Sequence, residues 1–315
     1  MFNLVTRQDF FDIAVKIERK GFSLPRFGVK NQIRRKWNSE SSAAGSFWDF
    51  PWLEGLWNRE ITGDESAGYR EWLAKTFCPD QSDALSVGCG DGSAEEKWFR
   101  TGQFHRVTGL DIADERIRKA RDRFNNLNPG LQFVTGDFLT DPVDDYQVLI
   151  FEHAFHHLFP MDKVIRKVKE ALQPGKQVLM IDYFGPDRFQ WEKELLQEAN
   201  EVLASWPDEW KRIPGTTRTK NRIGSPGLLR MRWSDPSEAA ESAGSLQKLR
   251  ANFNIRFEKV ISGTLLHVVF KDIAGNFMSE ETRPAVLEVL NREKKLIESG
   301  RVNGHFRALV IEGRQ

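Results

Sequence analysis

Three glycines at alternate positions, Gly88, Gly90 and Gly92, stand in the run Val87-Gly88-Cys89-Gly90-Asp91-Gly92-Ser93. Glycine takes positive φ and lets a ligand approach the backbone with no Cβ in the way, so a loop of this kind at the mouth of a sheet can cradle a nucleotide-like molecule. Asp111 follows roughly twenty residues on, where an acid accepts hydrogen bonds from ribose hydroxyls in nucleotide-binding α/β domains. Asp137 closes the next apolar run and Glu152-His153 the one after it, followed by Phe155-His156-His157 and by Asp182-Tyr183. Histidine titrates near neutrality, so His153, His156 and His157, with Asp182 and Tyr183, are the candidates for taking a proton from an acceptor, and His156 ranks first. Each residue also has a plainer role: the glycines as a tight turn, Asp111 as a helix cap, Asp137 as a turn residue, one of His156 and His157 as a packing or capping group. Two strand-end acids falling in step after the glycines favour a site.

Such residues need strands whose carboxyl ends share one edge. An apolar run at 84–87 leads through the glycines into a helical stretch at 94–101, and a strand at 106–111 leads into a helix at 114–124 with Ile117, Ala120 and Phe124 on one face. Strands at 131–134 and 147–151 follow, then a helix at 161–172 stopped by Pro174-Gly175, then a strand at 177–181. Five strands alternating with helices predict a parallel sheet. After Asp182 the alternation stops, and 184–249 is rich in tryptophan, arginine, glycine and proline, too long for a plain connection. Within it 190–203 reads as helix and 212–232 as irregular, so the segment is expected to be a lid that orders or closes over the acceptor. A strand at 255–261, a helix within 281–299 and a final strand at 306–311 end the chain. The first eighty residues are aromatic and charged, with helical spacing at 10–20 and 66–77. The expected units are a helical N-terminal segment at 1–80, a ligand-binding core at 81–183, a cap at 184–250 and a completion of the sheet at 251–315.

With 46 basic and 45 acidic residues among 315, the net charge of +1 offers no overall field for nucleic acid or an anionic membrane. Two cysteines, Cys78 and Cys89, are too few for a disulfide framework or a thiolate zinc site. Acidic Asp9 and Asp12 interrupt the amino-terminal stretch where a secretory signal needs an apolar run, and about 18 apolar residues never run together. A cytoplasmic protein with no signal peptide and no membrane span is expected.

The glycine loop, Asp111 and Asp137 in this order resemble the class I S-adenosylmethionine-dependent methyltransferases over roughly residues 84–182. The resemblance implies an α/β, Rossmann-like parallel sheet with a final antiparallel strand, here with the helical N-terminal segment and the inserted cap. It implies S-adenosyl-L-methionine as cofactor, with Gly88, Cys89, Gly90 and Gly92 under its methionine and ribose part, Asp111 and Ile112 at the ribose, and Asp137 with Phe138 facing the adenine. Glu152 and His153 would border the sulfonium and the acceptor. The spacing departs from Gly-x-Gly-x-x-Gly and puts Asp91 inside the loop, where it would repel a pyrophosphate but suits a phosphate-free, cationic cofactor. This favours methyl transfer over a nicotinamide dinucleotide.

Methyl transfer is an in-line displacement at an activated carbon, so the protein must align the nucleophile and, for a hydroxyl, remove its proton. The catalytic candidates are therefore His156, His153 and Tyr183. Three ligands from one short turn, His153, His156 and His157, without a spaced carboxylate make poor metal geometry, and no metal is expected. Residues 183–191, just after the fifth strand, would shape the acceptor pocket. Arg218, Lys220, Arg222, Arg230 and Arg232 suggest an anionic acceptor, with a solvated basic face as the plainer reading. The expected partner is a small-molecule or saccharide-like acceptor methylated on O or N, and a homodimer is compatible with the sequence. A non-catalytic relative that binds the nucleoside or a partner is the alternative. A nucleic-acid methyltransferase is disfavoured by the neutral charge and by Glu152-His153-Ala154-Phe155 standing where an Asn/Asp-Pro-Pro-Tyr/Phe turn is expected.

Overall fold

The computed structural model describes residues 4–20, 33–34, 36–37, 46–124, 128–143 and 145–314. Within the expected N-terminal segment, 1–3, 21–32, 35 and 38–45 lie outside the described residues. Seven strands form one mixed sheet: β1 Ser82–Val87, β2 Phe104–Asp111, β3 Leu131–Thr135, β4 Val148–Glu152, β5 Gln177–Tyr183, β6 Phe253–Ile261 and β7 Phe306–Gly313. Their order is β3-β2-β1-β4-β5-β7-β6, with β1 to β5 parallel and β7 antiparallel to both β5 and β6. The central strands are apolar on both faces because helices cover both sides, as the burial of Val178, Leu179, Met180 and Ile181 along β5 illustrates. The chain order reverses between β1 and β4, and at such a switch point the carboxyl ends of the two strands leave a crevice.

Helices α1 Arg7–Lys20, α2 Leu53–Thr62 and α3 Tyr69–Phe77 precede the sheet, and α4 Ser93–Phe99, α5 Asp114–Phe124 and α6 Met161–Ala171 alternate with its strands. Helix α6 buries Met161, Val164, Ile165, Val168 and Ala171, one stripe at the helical period. The segment between β5 and β6 contains α7 Lys193–Ser205, α8 Asp208–Lys211, α9 Leu228–Ser234 and α10 Ser245–Asn252. It contributes Leu195, Ala199, Val202, Leu203, Trp206, Ile213 and Ile223 to the same apolar core as the sheet, so it is packed into the molecule. The irregular stretch read at 212–232 holds, with α9 beginning inside its end.

Helices α11 Thr264–Phe270 and α12 Arg283–Glu298 complete the chain before β7. Helix α11 gives no periodic signal because Leu265, Leu266, Val268, Val269 and Phe270 are all buried, leaving no polar stripe to mark a face. Its amino end is capped from α12: the Glu293 carboxylate accepts the N–H groups of Gly263 (2.8 Å), Leu265 (2.6 Å) and Leu266 (3.2 Å). Its carboxyl end is capped by Lys220, whose buried ammonium donates to the carbonyls of Val268 (3.0 Å), Val269 (2.9 Å) and Lys271 (2.8 Å).

The basic run of the insert is thus largely spent on structure. Lys220 is buried under α11, Arg218 pairs with Glu18, and Arg230 pairs with Asp9 and Asp12 of α1. Replacing Lys220 by methionine removes the donor from three carbonyls, two of them buried, and is expected to cost roughly 2–3 kcal/mol. A urea midpoint that drops at constant m-value is the expected result, and an unchanged midpoint would rule the cap out as a stabilising element.

Candidate functional site

The glycine loop sits at the switch point. The Gly88 and Cys89 N–H groups both donate to the Leu110 carbonyl, at 2.7 and 3.2 Å, which ties the loop to the end of β2. Gly88 has φ of 75°, and a Cβ there would stand 2.6 Å from the Ala154 Cβ in the turn after β4. Gly92 has φ of 81°, and its Cβ would strike the Phe133 ring at 2.6 Å. Only glycine therefore lets this backbone lie so close to the neighbouring strand ends.

Asp111 closes β2 and holds the loop: Oδ2 accepts the Gly90 N–H (2.9 Å) and Oδ1 the Ala113 N–H (2.8 Å). A carboxylate offers about four lone-pair sites, so both oxygens keep capacity for further donors. Burial raises the Asp111 pKa above the usual carboxylate value, a desolvation that paired hydroxyl donors would relieve. Ile112 is half-buried, and its carbonyl accepts from Arg34 Nε (2.9 Å). Arg116, whose guanidinium lies 4.7 Å from the Trp37 ring, donates to the Trp37 carbonyl (2.9 Å). Residues 34 and 37 of the N-terminal segment thereby reach over the loop side of the crevice.

The remaining residues read as lining the loop side have these surroundings. Asp91 is exposed and turned to the start of α4, where Oδ1 accepts the Ser93 hydroxyl (2.8 Å) and N–H (3.2 Å). Cys89 is buried over Gly109, and burial lifts its thiol well above the ordinary range, which suits a packing group and not a nucleophile. Asp137 makes a tight turn through the Leu139 N–H (3.0 Å). Phe138 turns into the core beneath the sheet, its ring edge-on to Phe151 at 5.4 Å, because an apolar cluster is available there.

Glu152 is not open to a ligand. Its carboxylate accepts from Tyr69 Oη (2.9 Å), Arg70 Nε (3.1 Å) and Nη2 (2.5 Å), and Trp98 Nε1 (2.7 Å). Burial opposes its charge, but Arg70 and these donors prevail and hold the pKa down at about 2. The Glu152 carboxylate, read from the sequence as bordering the ligand, is engaged in a buried ion pair that anchors α3 and α4 on the end of β4.

The turn after β4 is built on Asp182. This wholly buried carboxylate takes the N–H groups of Ala154 (2.8 Å) and Phe155 (2.7 Å) on Oδ2, and those of Tyr183 (2.7 Å) and His156 (3.3 Å) on Oδ1. Oδ1 also faces His156 Nδ1 at 2.6 Å. With no capacity left, Asp182 positions its neighbours and is not a base.

The three histidines then separate. His156 has Asp182 on Nδ1 and Glu238 Oε1 3.6 Å from Nε2; burial opposes its charge, but the two carboxylates hold its pKa up at about 10. His157 lies edge-on to Trp37 at 4.9 Å, and burial together with the neighbouring His156 pushes it down to about 4. His153 has φ of 57° and donates its N–H to the Ile181 carbonyl (2.8 Å). Its ring stands 4.2 Å from Trp48 and 5.6 Å from Trp57, and its buried Nδ1 has no hydrogen-bond partner. Burial lowers its pKa, so the imidazole is neutral and basic nitrogen is available at neutral pH.

Tyr183 is buried with its hydroxyl donating to the Pro186 carbonyl (3.0 Å), and burial raises its pKa well above the ordinary value. Its ring lies among Phe189, Trp191, His267 and His305, as a wall and not as a proton acceptor. Trp48, Trp57, Arg70, Trp98 and Glu238 complete the site, and none was singled out for a role there from the sequence. The cluster of tryptophans before residue 60 was a signal for the first two; nothing local marks Glu238.

Residues 84–175 match the family described as a methyltransferase domain. The chain is 25% identical over 186 residues to a trans-aconitate 2-methyltransferase from Rhizobium rhizogenes, covering 56% of this chain and 70% of that one. It is 26% identical over 147 residues to the tetracenomycin polyketide synthesis 8-O-methyl transferase of Streptomyces glaucescens, covering 45% and 42%. With three of the curated relatives that it matches, the alignment spans less than half of the relative's own length. In three dimensions it is similar to geranyl diphosphate C-methyltransferase from Streptomyces coelicolor A3(2), solved with Mg2+, geranyl diphosphate and S-adenosyl-L-homocysteine. That likeness, TM-score 0.50 at 13% identity over 93% of this chain and 100% of the other, is one of fold. No helix among the described residues is long and apolar enough to cross a membrane.

Glu152→Gln removes the charge from the buried pair and is expected to destabilise the fold by roughly 3–5 kcal/mol. Because the folded carboxyl is held near 2 against an ordinary 4.5, its stabilisation is fully present above 4.5 and fades as the pH falls toward 2. The stability gap between wild type and E152Q, followed by denaturant melts from pH 7 to pH 3, should therefore narrow on acidification. A gap independent of pH would contradict the ion pair.

Proposed function

We propose that this chain, which belongs to the class I S-adenosylmethionine-dependent methyltransferases, transfers a methyl group to oxygen or nitrogen of a small-molecule or saccharide-like acceptor, with His153 as the base. The observation that carries this reading is the His153 imidazole: neutral, buried, unpartnered at Nδ1, framed by Trp48 and Trp57, and one residue from the Ala154 that abuts Gly88. His156 was the first candidate from the sequence, but both its ring nitrogens face carboxylates, so it is not the base in this reading.

The residues present fit the cofactor. The spare acceptor capacity of Asp111 suits the hydroxyls of a ribose, and this residue, with Asp137 and the Gly88, Gly90 and Gly92 backbone at the switch point between β1 and β4, would hold a nucleoside. When bound, S-adenosylmethionine supplies a methyl group already activated by a sulfonium. The chain's own residues bind and orient. Trp48 and Trp57 exclude water from His153, and His153 accepts the proton of an acceptor hydroxyl or amine as its nucleophilic atom is aligned. The named relatives act on trans-aconitate and in polyketide synthesis, which supports a small acceptor for this chain as well. The cytoplasm is the compartment we assign.

Two variants divide binding from chemistry. Asp111→Ala should weaken S-adenosylmethionine binding by roughly 1–3 kcal/mol in isothermal titration. His153→Asn, whose side chain tolerates positive φ, should leave that binding intact while turnover falls about 10²–10⁴-fold. The acceptor is found by screening sugars, carboxylic acids, amines and phenols with methyl-labelled cofactor, and activity on none of them despite tight cofactor binding would favour a non-catalytic binder. Because burial lowers the His153 pKa below its ordinary 6.5, the acid limb of kcat should lie below that value. An acid limb well above 6.5, or H153N turnover equal to wild type, would refute this base.

A further inference from the structure

A carboxylate from the insert converges on the two adjacent histidines after β4. Glu238 lies roughly eighty residues further along the chain, and its Oε1 stands 3.6 Å from His156 Nε2. One ligand atom each from His156, His157 and Glu238 falls within 4.8 Å of the others. The separation of 3.6 Å is too long for a good hydrogen bond, whereas two ligand atoms on one tetrahedral cation with bonds of 2.0–2.1 Å stand about 3.3 Å apart. The spaced carboxylate missing from the sequence-level set of His153, His156 and His157 is supplied by Glu238, and His153 drops out because its ring turns to Trp48 and Trp57.

We propose that His156, His157 and Glu238 bind a divalent transition metal of the zinc class. Asp182 at 2.6 Å from His156 Nδ1 fixes the ring so that Nε2 points at the site, the outer carboxylate that metal-bound histidines commonly carry, and the cation would take the place of the Nε2 proton, which leaves to solvent. Ser237 plays a weaker part beside His157, with Oγ 3.4 Å from Nδ1 and its proton given to Asp235 (2.5 Å). Lys36 lies 3.6 Å from Glu238 Oε2, the oxygen that does not face His156, and is anchored to Asp235 at 2.5 Å. Three protein ligands leave a fourth position for water or an oxygen of a small molecule. The cation would fasten the insert at Glu238 to the turn after β4, next to the wall formed by Tyr183, whose ring is 6.0 Å from that of His156.

The test uses the full chain, stripped with a chelator and titrated with Co2+ alone. Expected is one equivalent per chain and the intense visible bands of a four- or five-coordinate ion, displaced by Zn2+. X-ray absorption of the zinc form should show two imidazoles and one carboxylate oxygen. Glu238→Gln and His157→Asn should each weaken binding by more than about 100-fold, since loss of even an outer partner costs 10–100-fold. His105→Ala, removing an exposed histidine paired with Asp83, should leave it unchanged. Wild type that takes up no Co2+, or stoichiometric binding undiminished in folded E238Q and H157N, would overturn the site. A zinc edge spectrum with fewer than two imidazoles would do the same even if the variants fail to fold.

Discussion

Asp182 is a carboxylate sealed from solvent at the end of a central strand, and its two oxygens take four backbone N–H groups and an imidazole. A bare charge in that position would be prohibitive, so the turn after β4 has to wrap around it. The wrapping decides much else. It presses Ala154 against Gly88, leaves His153 in a left-handed conformation beside the tryptophans, and aims His156 at the insert. One buried anion thus couples the glycine loop after β1, His153 after β4 and the region beyond β5.

A second buried anion secures the other side. Glu152, bound by Tyr69, Arg70 and Trp98, joins the N-terminal helices to the end of the same strand. The N-terminal segment then supplies Trp48 and Trp57 around His153, while Arg34 and the Trp37 carbonyl reach Ile112 and Arg116. Parts of the chain that precede the sheet thus pack around the ends of β2 and β4.

The strand-helix alternation was legible because parallel strands are short apolar runs and helices such as α6 bury one periodic stripe. The glycine loop and Asp111 were legible for the same local reason: a tight turn and a strand-end acid leave marks in neighbouring residues. Helix α11 was not, since burial on every side erases its period. Nor were the partners of Glu152, the insertion of Phe138 into the core, or the approach of Glu238 to His156, because each is a tertiary pairing of residues whose types alone say nothing of their distance. Position beside a strand end identified His153 and His156 as candidates. Which nitrogen is left without a partner depends on carboxylates contributed from elsewhere, and only the fold assigns it.

The loop at Gly88–Gly92 and the acid at Asp111 are proposed to hold the nucleoside of S-adenosylmethionine with the acceptor on the His153 side. A crystal structure of the chain with S-adenosyl-L-homocysteine tests it most directly. Expected are ribose hydroxyls on Asp111 and the thioether sulfur directed toward His153 and the Trp48–Trp57 pair. A nucleoside lodged away from the glycine loop, or an Asp111 turned from the sugar, would contradict it.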